Sequence, residues 1–510
     1  MKTFKLFNWV VLLTILFCLS FKISAQNLCK ESIGYYPSWQ WYDRAKLVNP
    51  ETIDYSKYSI INYAFLYPEA DGTITITDPW ADKNLLLGTI NWSASPAGYD
   101  SQYDLGNPAY HLPNTSIVYH AHQHNVPVLI SLGGWTLSND FPGIAADPVK
   151  RTNFAHWCNE SIRVFDIDGI DIDWEYPGFA DHNGTSSDKQ NFTLLLREVR
   201  DSLNAIEPIV NKDLMLTAAF SADPVKMEDI EWNEVVPLMD YINLMSYDLF
   251  GAFSEETNHN APLFAPAVGE PTFNCNSAVQ TLINEYNVPS EKINMGVAFY
   301  GRSAKTSSSV GLHVGPITGP DNVTFAADEG TPLYYNILKA METGDFTDNW
   351  DDQAKVPYLT NASTNSFVSY DNEESIRLKG EYIVDHNLGG AIIWEITGDY
   401  IETSPGSGIV ARTPLTDALN EGMCYTPTNT SISELAQLDM TVYPNPFNDQ
   451  ITLNMDAYSN FTAVIYDVNG KIMFQGKNEK VINSENLPTG IYMLKVTVKG
   501  ESATKKIIKL

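Results

Sequence analysis

The sequence is poor in positive charge: 32 Lys and Arg stand against 62 Asp and Glu, the formal net charge is -30, and no Lys/Arg-rich block interrupts the excess. A phosphate backbone would be repelled, so nucleic acid is not an expected partner. An uncharged polymer would feel no such field. Cysteine is scarce, and Cys29, Cys158, Cys275 and Cys424 have neither a CxxC nor a metal-like spacing. With no Walker, GxSxG or HExxH motif either, neither a metal nor a cofactor is implied. The opening apolar run, Phe7 to Leu19, is short for a membrane span. Lys2 and Lys5 precede it and Ser24 and Ala25 follow, the layout of a cleaved signal peptide over residues 1–25. Cys18 follows Phe17, too bulky for a lipoprotein cleavage site. The expectation is an exported chain with no membrane span in its mature form. In an oxidising compartment the four remaining cysteines allow one or two disulfides. Three full pairings stay open, and Cys29 with Cys424 is suggested because the two bracket the large domain.

Strand-like runs, by contrast, are plentiful. Short apolar stretches lie at 32–39, 58–68, 126–135, 168–177, 214–222, 240–249, 292–301 and 388–396. Between several of them lie segments with three- and four-residue apolar spacing, as at 189–206. Eight strands alternating with helices predict an α/β fold, a closed (β/α)8 TIM barrel over residues 26–424, with an open doubly wound sheet as the alternative. The seventh and eighth strands are separated by far more chain than one helix needs. An α+β insertion between strand 7 and helix 7 is therefore expected within about 302–387, with Asp371 or Asn372 capping the helix that follows. A Thr/Ser/Asn-rich linker at 425–434 leads to residues 435–510, whose short strands and turn signals predict a small all-β sandwich.

The stretch DGIDIDWEYP, residues 168–177, carries acids at every second position. In a strand Asp171, Asp173 and Glu175 share one face, while Ile170, Ile172 and Trp174 share the other. An open sheet would turn the acids to water. A barrel covers both faces, which places them in the lumen. Carboxylates spaced about 7 Å apart in a confined interior cannot all ionise cheaply, so at least one holds a proton near neutrality. Glu175, last in the series, falls at the carboxyl end of its strand, the catalytic face of such barrels.

DGIDIDWEYP resembles the DxxDxDxE signature of glycoside hydrolase family 18, the chitinases and their relatives. SLGGW at 131–135 resembles the family's SxGG motif, MSYD at 245–248 its strand 6 motif, and the tryptophan of GGAIIWE at 389–395 that of strand 8. YGR at 300–302 also fits, although the proline common before it is replaced in GVAFYGR. The resemblance covers roughly residues 30 to 420. It implies hydrolysis of chitin and chitooligosaccharides by a substrate-assisted mechanism, an exception to the two-carboxylate scheme. In that scheme Glu175 is the general acid, Asp173 accepts the substrate acetamido N–H, Asp171 tunes Asp173, and Tyr247 holds the acetamido oxygen. Trp394 would floor the central subsite, and Trp135, Tyr36 and Phe65 would line the groove. Met245, Asp248 and Arg302 complete this substrate-binding set, which Ser131 joins while supporting Asp171 from below. The insertion resembles the module that walls one side of deep chitinase clefts. A lectin on the same barrel, or a family member acting on another N-acetylated glycan, is the alternative; lectins of this kind typically lose the acid at the position of Glu175.

His120, His122 and His124 raise the question of a metal, but no carboxylate lies near them in sequence, and they read as an exposed helix end. The last domain, with VYPNPF, LPTGIY and a lysine-rich end, resembles the C-terminal sorting domain of the type IX secretion system, whose machinery is then an expected partner. A carbohydrate-binding module is the rival reading, against which no tryptophan follows Trp394.

Overall fold

Each of the eight apolar runs folds as a strand: β1 Glu31–Pro37, β2 Ile60–Pro68, β3 Val128–Gly133, β4 Gly169–Asp173, β5 Met215–Ser221, β6 Tyr241–Met245, β7 Ile293–Ala298 and β8 Gly390–Trp394. The structure is a computed structural model, described over residues 28–95, 105–426, 441–454, 461–467, 471–484, 487–498 and 501–510. The leader expected at 1–25 and most of the expected linker lie outside those residues. The chain divides into two compact units, one ending at Tyr425 and the other beginning at Thr426.

In the first unit every barrel strand runs parallel to its neighbours, and β1 pairs with both β2 and β8, so the sheet closes and the open alternative falls away. Closure explains the composition of the strands. Ile61, Ile130, Ile170, Ile172, Leu216, Ile242 and Leu244 point outward into the core beneath the helices. Ile33, Tyr35, Ala64, Leu129, Ala219, Met245, Ala298 and Ile392 point inward and form a separate cluster. Each fully buried isoleucine contributes about 1.5–3 kcal/mol relative to exposure, and a one-residue slip would turn the whole outer set into the lumen.

Local chemistry sets the helices. Asp147 accepts from the Val149 N–H at the start of Pro148–Phe165, with Pro148 in the first turn where its missing N–H costs nothing. Asp188–Val210 buries Phe192, Leu195, Leu196, Val199, Leu203 and Ile206, one stripe at helical spacing. Between β1 and β2, where an ideal barrel has a helix, the described residues form only 3-10 turns.

After β7 the strands Arg302–Thr306, Ile317–Gly319, Thr347–Asp351, Val356–Asn361 and Ser366–Ser369 build an antiparallel sheet, joined by the helix Tyr334–Glu342. Asn372 then forms a reciprocal capping box with Ser375 at the start of Glu373–Asp385. Asp371, the other capping candidate, is instead buried against Lys379, whose Nζ lies 2.7 Å from both carboxylate oxygens. Cys29 and Cys424 are bonded across 395 residues, while Cys158 and Cys275 are separate buried thiols.

In the second unit, strands Thr441–Tyr443, Gln450–Asn454 and Val481–Asn483 form one sheet. A second sheet holds Thr462–Tyr466, Ile472–Lys477, Gly490–Val498 and Glu501–Lys509. Phe447, Ile451, Leu453, Ile465, Leu494, Val496 and Ile507 fill one core, giving the all-β sandwich.

Candidate functional site

The site is built along β4. Asp171 is fully buried in the lumen. The Tyr35 and Ser131 hydroxyls donate to its Oδ2, both at 2.8 Å, and Thr217 and Asn243 donate to its Oδ1 at 2.5 and 3.1 Å. Burial raises its pKa, and those donors hold it down. One step further, Asp173 is 3% exposed, and its Oδ1 has no hydrogen-bond partner in the protein. Burial, then the charges of Glu175 and Asp171, push this carboxyl well above the ordinary range. Glu175 reaches about 7, raised mainly by burial and also by Asp248, against the lowering pull of the Tyr176 side chain, Lys226 and the Trp135 N–H.

The expected strand at 168–177 is too long, because regular pairing ends at Asp173. Glu175 stands two residues beyond the ladder, half-buried, on backbone held by side chains. Its N–H donates to Ser138 Oγ at 2.9 Å, and its carbonyl accepts from His182 Nδ1 at 2.6 Å. Ser138 in turn donates to the Gly134 carbonyl at 2.9 Å. The glycines of SLGGW make this proximity possible: Gly133 and Gly134 have φ of 107° and 86°. A Cβ on Gly133 would lie 2.4 Å from the Asp173 carbonyl, and one on Gly134 would lie 2.6 Å from the Phe65 ring.

Across the mouth, Tyr247 is buried beside Tyr300, and burial with the Asp173 and Asp248 charges keeps its hydroxyl protonated. Asp248 adopts a left-handed φ of 58°. Its Oδ1 accepts from the Tyr300 hydroxyl at 2.6 Å and from Arg302 Nε at 2.7 Å, and its Oδ2 lies 2.7 Å from Arg302 Nη2. Met245 belongs to the inner cluster with Tyr247 and Tyr300, against which Trp394 packs.

Trp394 is surrounded by aromatic rings. Phe65 stacks on it at 5.5 Å, and Tyr35 and Trp39 approach at 5.7 and 6.2 Å. Trp135 is 53% exposed and receives the His182 ring edge-on at 4.6 Å. Two sequence-derived placements change. Tyr36 does not line the groove: its side chain is fully buried in the outer core, donating to the Val48 carbonyl and stacking with Tyr63. Ser131, fully buried, is likewise out of a ligand's reach, while its hydroxyl supports Asp171 from below as expected.

Sequence reading missed Tyr35, Thr217 and Asn243 around Asp171, and Trp39, Phe253 and His182 at the mouth. Alternation along β1 would have separated Tyr35 from Tyr36 had the inward phase been known. The loop residues carried no periodic signal. The histidine segment differs as well, since His122 Nε2 pairs with Asp168 at 2.7 Å, a carboxylate supplied by the chain leading into β4. Among the described residues no group of three or more His, Cys, Asp or Glu is placed to hold a metal.

Residues 31–399 match the family described as "Glycosyl hydrolases family 18", and residues 441–510 match the "Secretion system C-terminal sorting domain". The chain is 34% identical over 414 residues to chitinase A1 of Niallia circulans, an alignment covering 73% of this chain and 57% of that relative, little more than half its length. It is 32% identical to chitinase 1 of Aphanocladium album, covering 71% of this chain and 80% of the relative. Among solved structures it is similar to the Ostrinia furnacalis Group IV chitinase, with a TM-score of 0.65 and 29% identity over 78% of this chain and all of that one.

Proposed function

Because the chain belongs to glycoside hydrolase family 18, we propose that it is an exported chitinase cutting β-1,4 bonds between N-acetylglucosamine units of chitin and chitooligosaccharides. The observation that carries this reading is the grading of carboxylates along β4, from a donor-saturated Asp171, through Asp173 with an unpartnered Oδ1, to a half-buried Glu175 raised to about 7.

Glu175 near neutrality is a proton donor, and it protonates the glycosidic oxygen of the scissile bond. As that bond breaks, the acetamido oxygen of the sugar on the Trp394 side attacks the anomeric carbon. The intermediate is a cyclic oxazolinium ion and no enzyme ester forms, so the enzyme needs no carboxylate nucleophile. Asp173 accepts the acetamido N–H through the oxygen that has no protein partner and offsets the positive charge as it grows. Asp171 keeps its position through its four donors and influences Asp173 through its charge. The Tyr247 hydroxyl holds the acetamido oxygen in line for attack. Water then enters on the vacated side and bonds to the anomeric carbon as Glu175 takes its proton; the bond to the acetamido oxygen breaks, the acetamido group is restored, and the product keeps its anomeric configuration.

The exposed aromatics support a polymeric substrate. Trp39, Tyr42, Trp80 and Trp92 are exposed: Trp39 adjoins Trp394, Tyr42 donates to Asp78 at 2.9 Å, and Trp80 stacks with Trp92 at 6.4 Å. Phe253, also exposed, stands beside Arg302. Aromatic faces of this kind hold the apolar faces of sugar rings. The match at residues 441–510 supports export by the type IX secretion machinery, and no helix among the described residues is long and apolar enough to cross a membrane.

Mass spectrometry of chitohexaose incubated with the parent chain and with Glu175→Gln tests the reading. Short oligomers from the parent alone, with binding retained by the variant in calorimetry, support it. Intact hexaose in both tubes with binding retained favours a lectin, and an active Glu175→Gln refutes the assignment of the acid.

A further inference from the structure

The loop that returns from Glu175 to the following helix is tied down by its own hydrogen bonds. The Phe179 carbonyl accepts from the His182 and Gly184 N–H groups at 3.1 and 2.9 Å. Asp188, buried at the start of its helix, accepts from the Gly178 and Thr185 N–H groups at 3.1 and 2.9 Å. Asn183 Nδ2 donates to the Asn139 carbonyl at 3.2 Å, which ties this loop to the one after β3. The frame presents one imidazole to two different parts of the site. His182 Nδ1 lies 2.6 Å from the Glu175 carbonyl, and because a carbonyl only accepts, that nitrogen carries the proton. The same ring meets the Trp135 indole at 4.6 Å and Phe179 at 5.2 Å, edge-on in both cases.

Each partner has further support, Ser138 Oγ on the Glu175 N–H and the Phe179 ring beside Trp135, and His182 adds the bond to the Glu175 carbonyl and the nearer ring to Trp135. Glu175 lies beyond the β4 ladder, so its carbonyl has no strand partner to fix the peptide from which the acid extends. Trp135 follows two glycines and is more than half exposed, so the indole plane is set by the rings packed against it: Phe179 at 5.8 Å and His182 closer still. An acid displaced by an ångström loses much of its effectiveness in proton transfer. A tilted indole presents less of its face to a sugar.

We propose that His182 is a positioning residue with two separable tasks, anchoring the main chain of the acid through Nδ1–H and setting the plane of Trp135 through its ring. The proposal rests on the reading of Glu175 as the acid and of Trp135 as a sugar platform. It makes turnover and affinity depend on different atoms of one side chain, a division that a merely structural histidine would not show.

The two tasks come apart in two substitutions. His182→Phe keeps a ring beside Trp135 and removes the donor, whereas His182→Asn places an amide N–H near the position of Nδ1 and removes the ring. Steady-state kinetics on chitohexaose with the full chain should show kcat reduced about ten-fold in His182→Phe, with KM within about two-fold of the parent. In His182→Asn, KM should rise about five-fold while kcat stays within about two-fold. His182→Tyr, which also keeps a ring and removes the Nδ1–H donor, replaces the phenylalanine variant should that chain not be recovered folded. Any other pattern overturns the proposal, including parent values in both variants or the same parameter moved by both. Glu175→Gln, assayed alongside, keeps the two failures apart. If it stays active, the assignment of the acid has failed; if it is inactive and the His182 variants do not split, only the role of His182 has failed.

Discussion

Asp171 and Asp173 stand two residues apart on one face of one strand, both inside the barrel, and their surroundings are opposite. Four side chains from β1, β3, β5 and β6 converge on Asp171 and leave neither oxygen without a donor. Asp173 is nearly as buried, yet one of its oxygens has no partner in the protein. The buried Asp371, paired with Lys379 and accepting from Ser375, follows the first pattern. A fold keeps a buried charge cheaply by saturating it, so an unsaturated one at the mouth of a barrel is a place kept for a ligand. The contrast separates a carboxylate that maintains the site from one that uses it.

Substitutions at the two positions should therefore fail differently. Asp173→Asn is expected to lower kcat on chitohexaose about 100- to 1,000-fold, with a melting temperature close to that of the parent, because burial and the neighbouring acids already push this carboxyl toward its neutral form and the amide has nearly the same shape. Asp171→Ala leaves the four donors without an acceptor and should cost about 3 kcal/mol of stability in denaturant unfolding. Equal losses of stability at the two positions would break the comparison. A smaller effect separates Glu175 from both. Its carboxyl, raised to about 7, must carry a proton to act as the acid, so kcat/KM should be level just below that pH and fall as pH rises through it. A profile still level at pH 9 would show that another group delivers the proton.

Much of this was legible in sequence where chemistry follows a period. The acids of β4 alternate with Ile170, Ile172 and Trp174, and a closed barrel leaves that pattern only one orientation. The SLGGW glycines were placed by resemblance alone, and the close backbone approach they permit shows only in the structure. Adjacent tyrosines were harder: Tyr35 and Tyr36 both lie in a strand buried on its two faces, so composition does not reveal which one enters the lumen. Trp39 and His182 sit in short 3-10 turns and Phe253 in a loop, where no period assigns a direction, and His122 meets Asp168 across 46 positions of sequence. The hydroxyls and the amide that donate to the Asp171 carboxylate come from four strands, and only the closed sheet brings them together.

The central claim is that the substrate's own acetamido group, held by Asp173 and Tyr247, attacks the anomeric carbon. It is tested most directly by offering the parent chain chitohexaose and the fully deacetylated glucosamine hexamer side by side and following the products by mass spectrometry. Cleavage of the acetylated hexamer with the glucosamine hexamer left intact is the predicted result. Cleavage of both at comparable rates would contradict the account, because it would require a nucleophile other than the acetamido group, a protein carboxylate or a directly activated water.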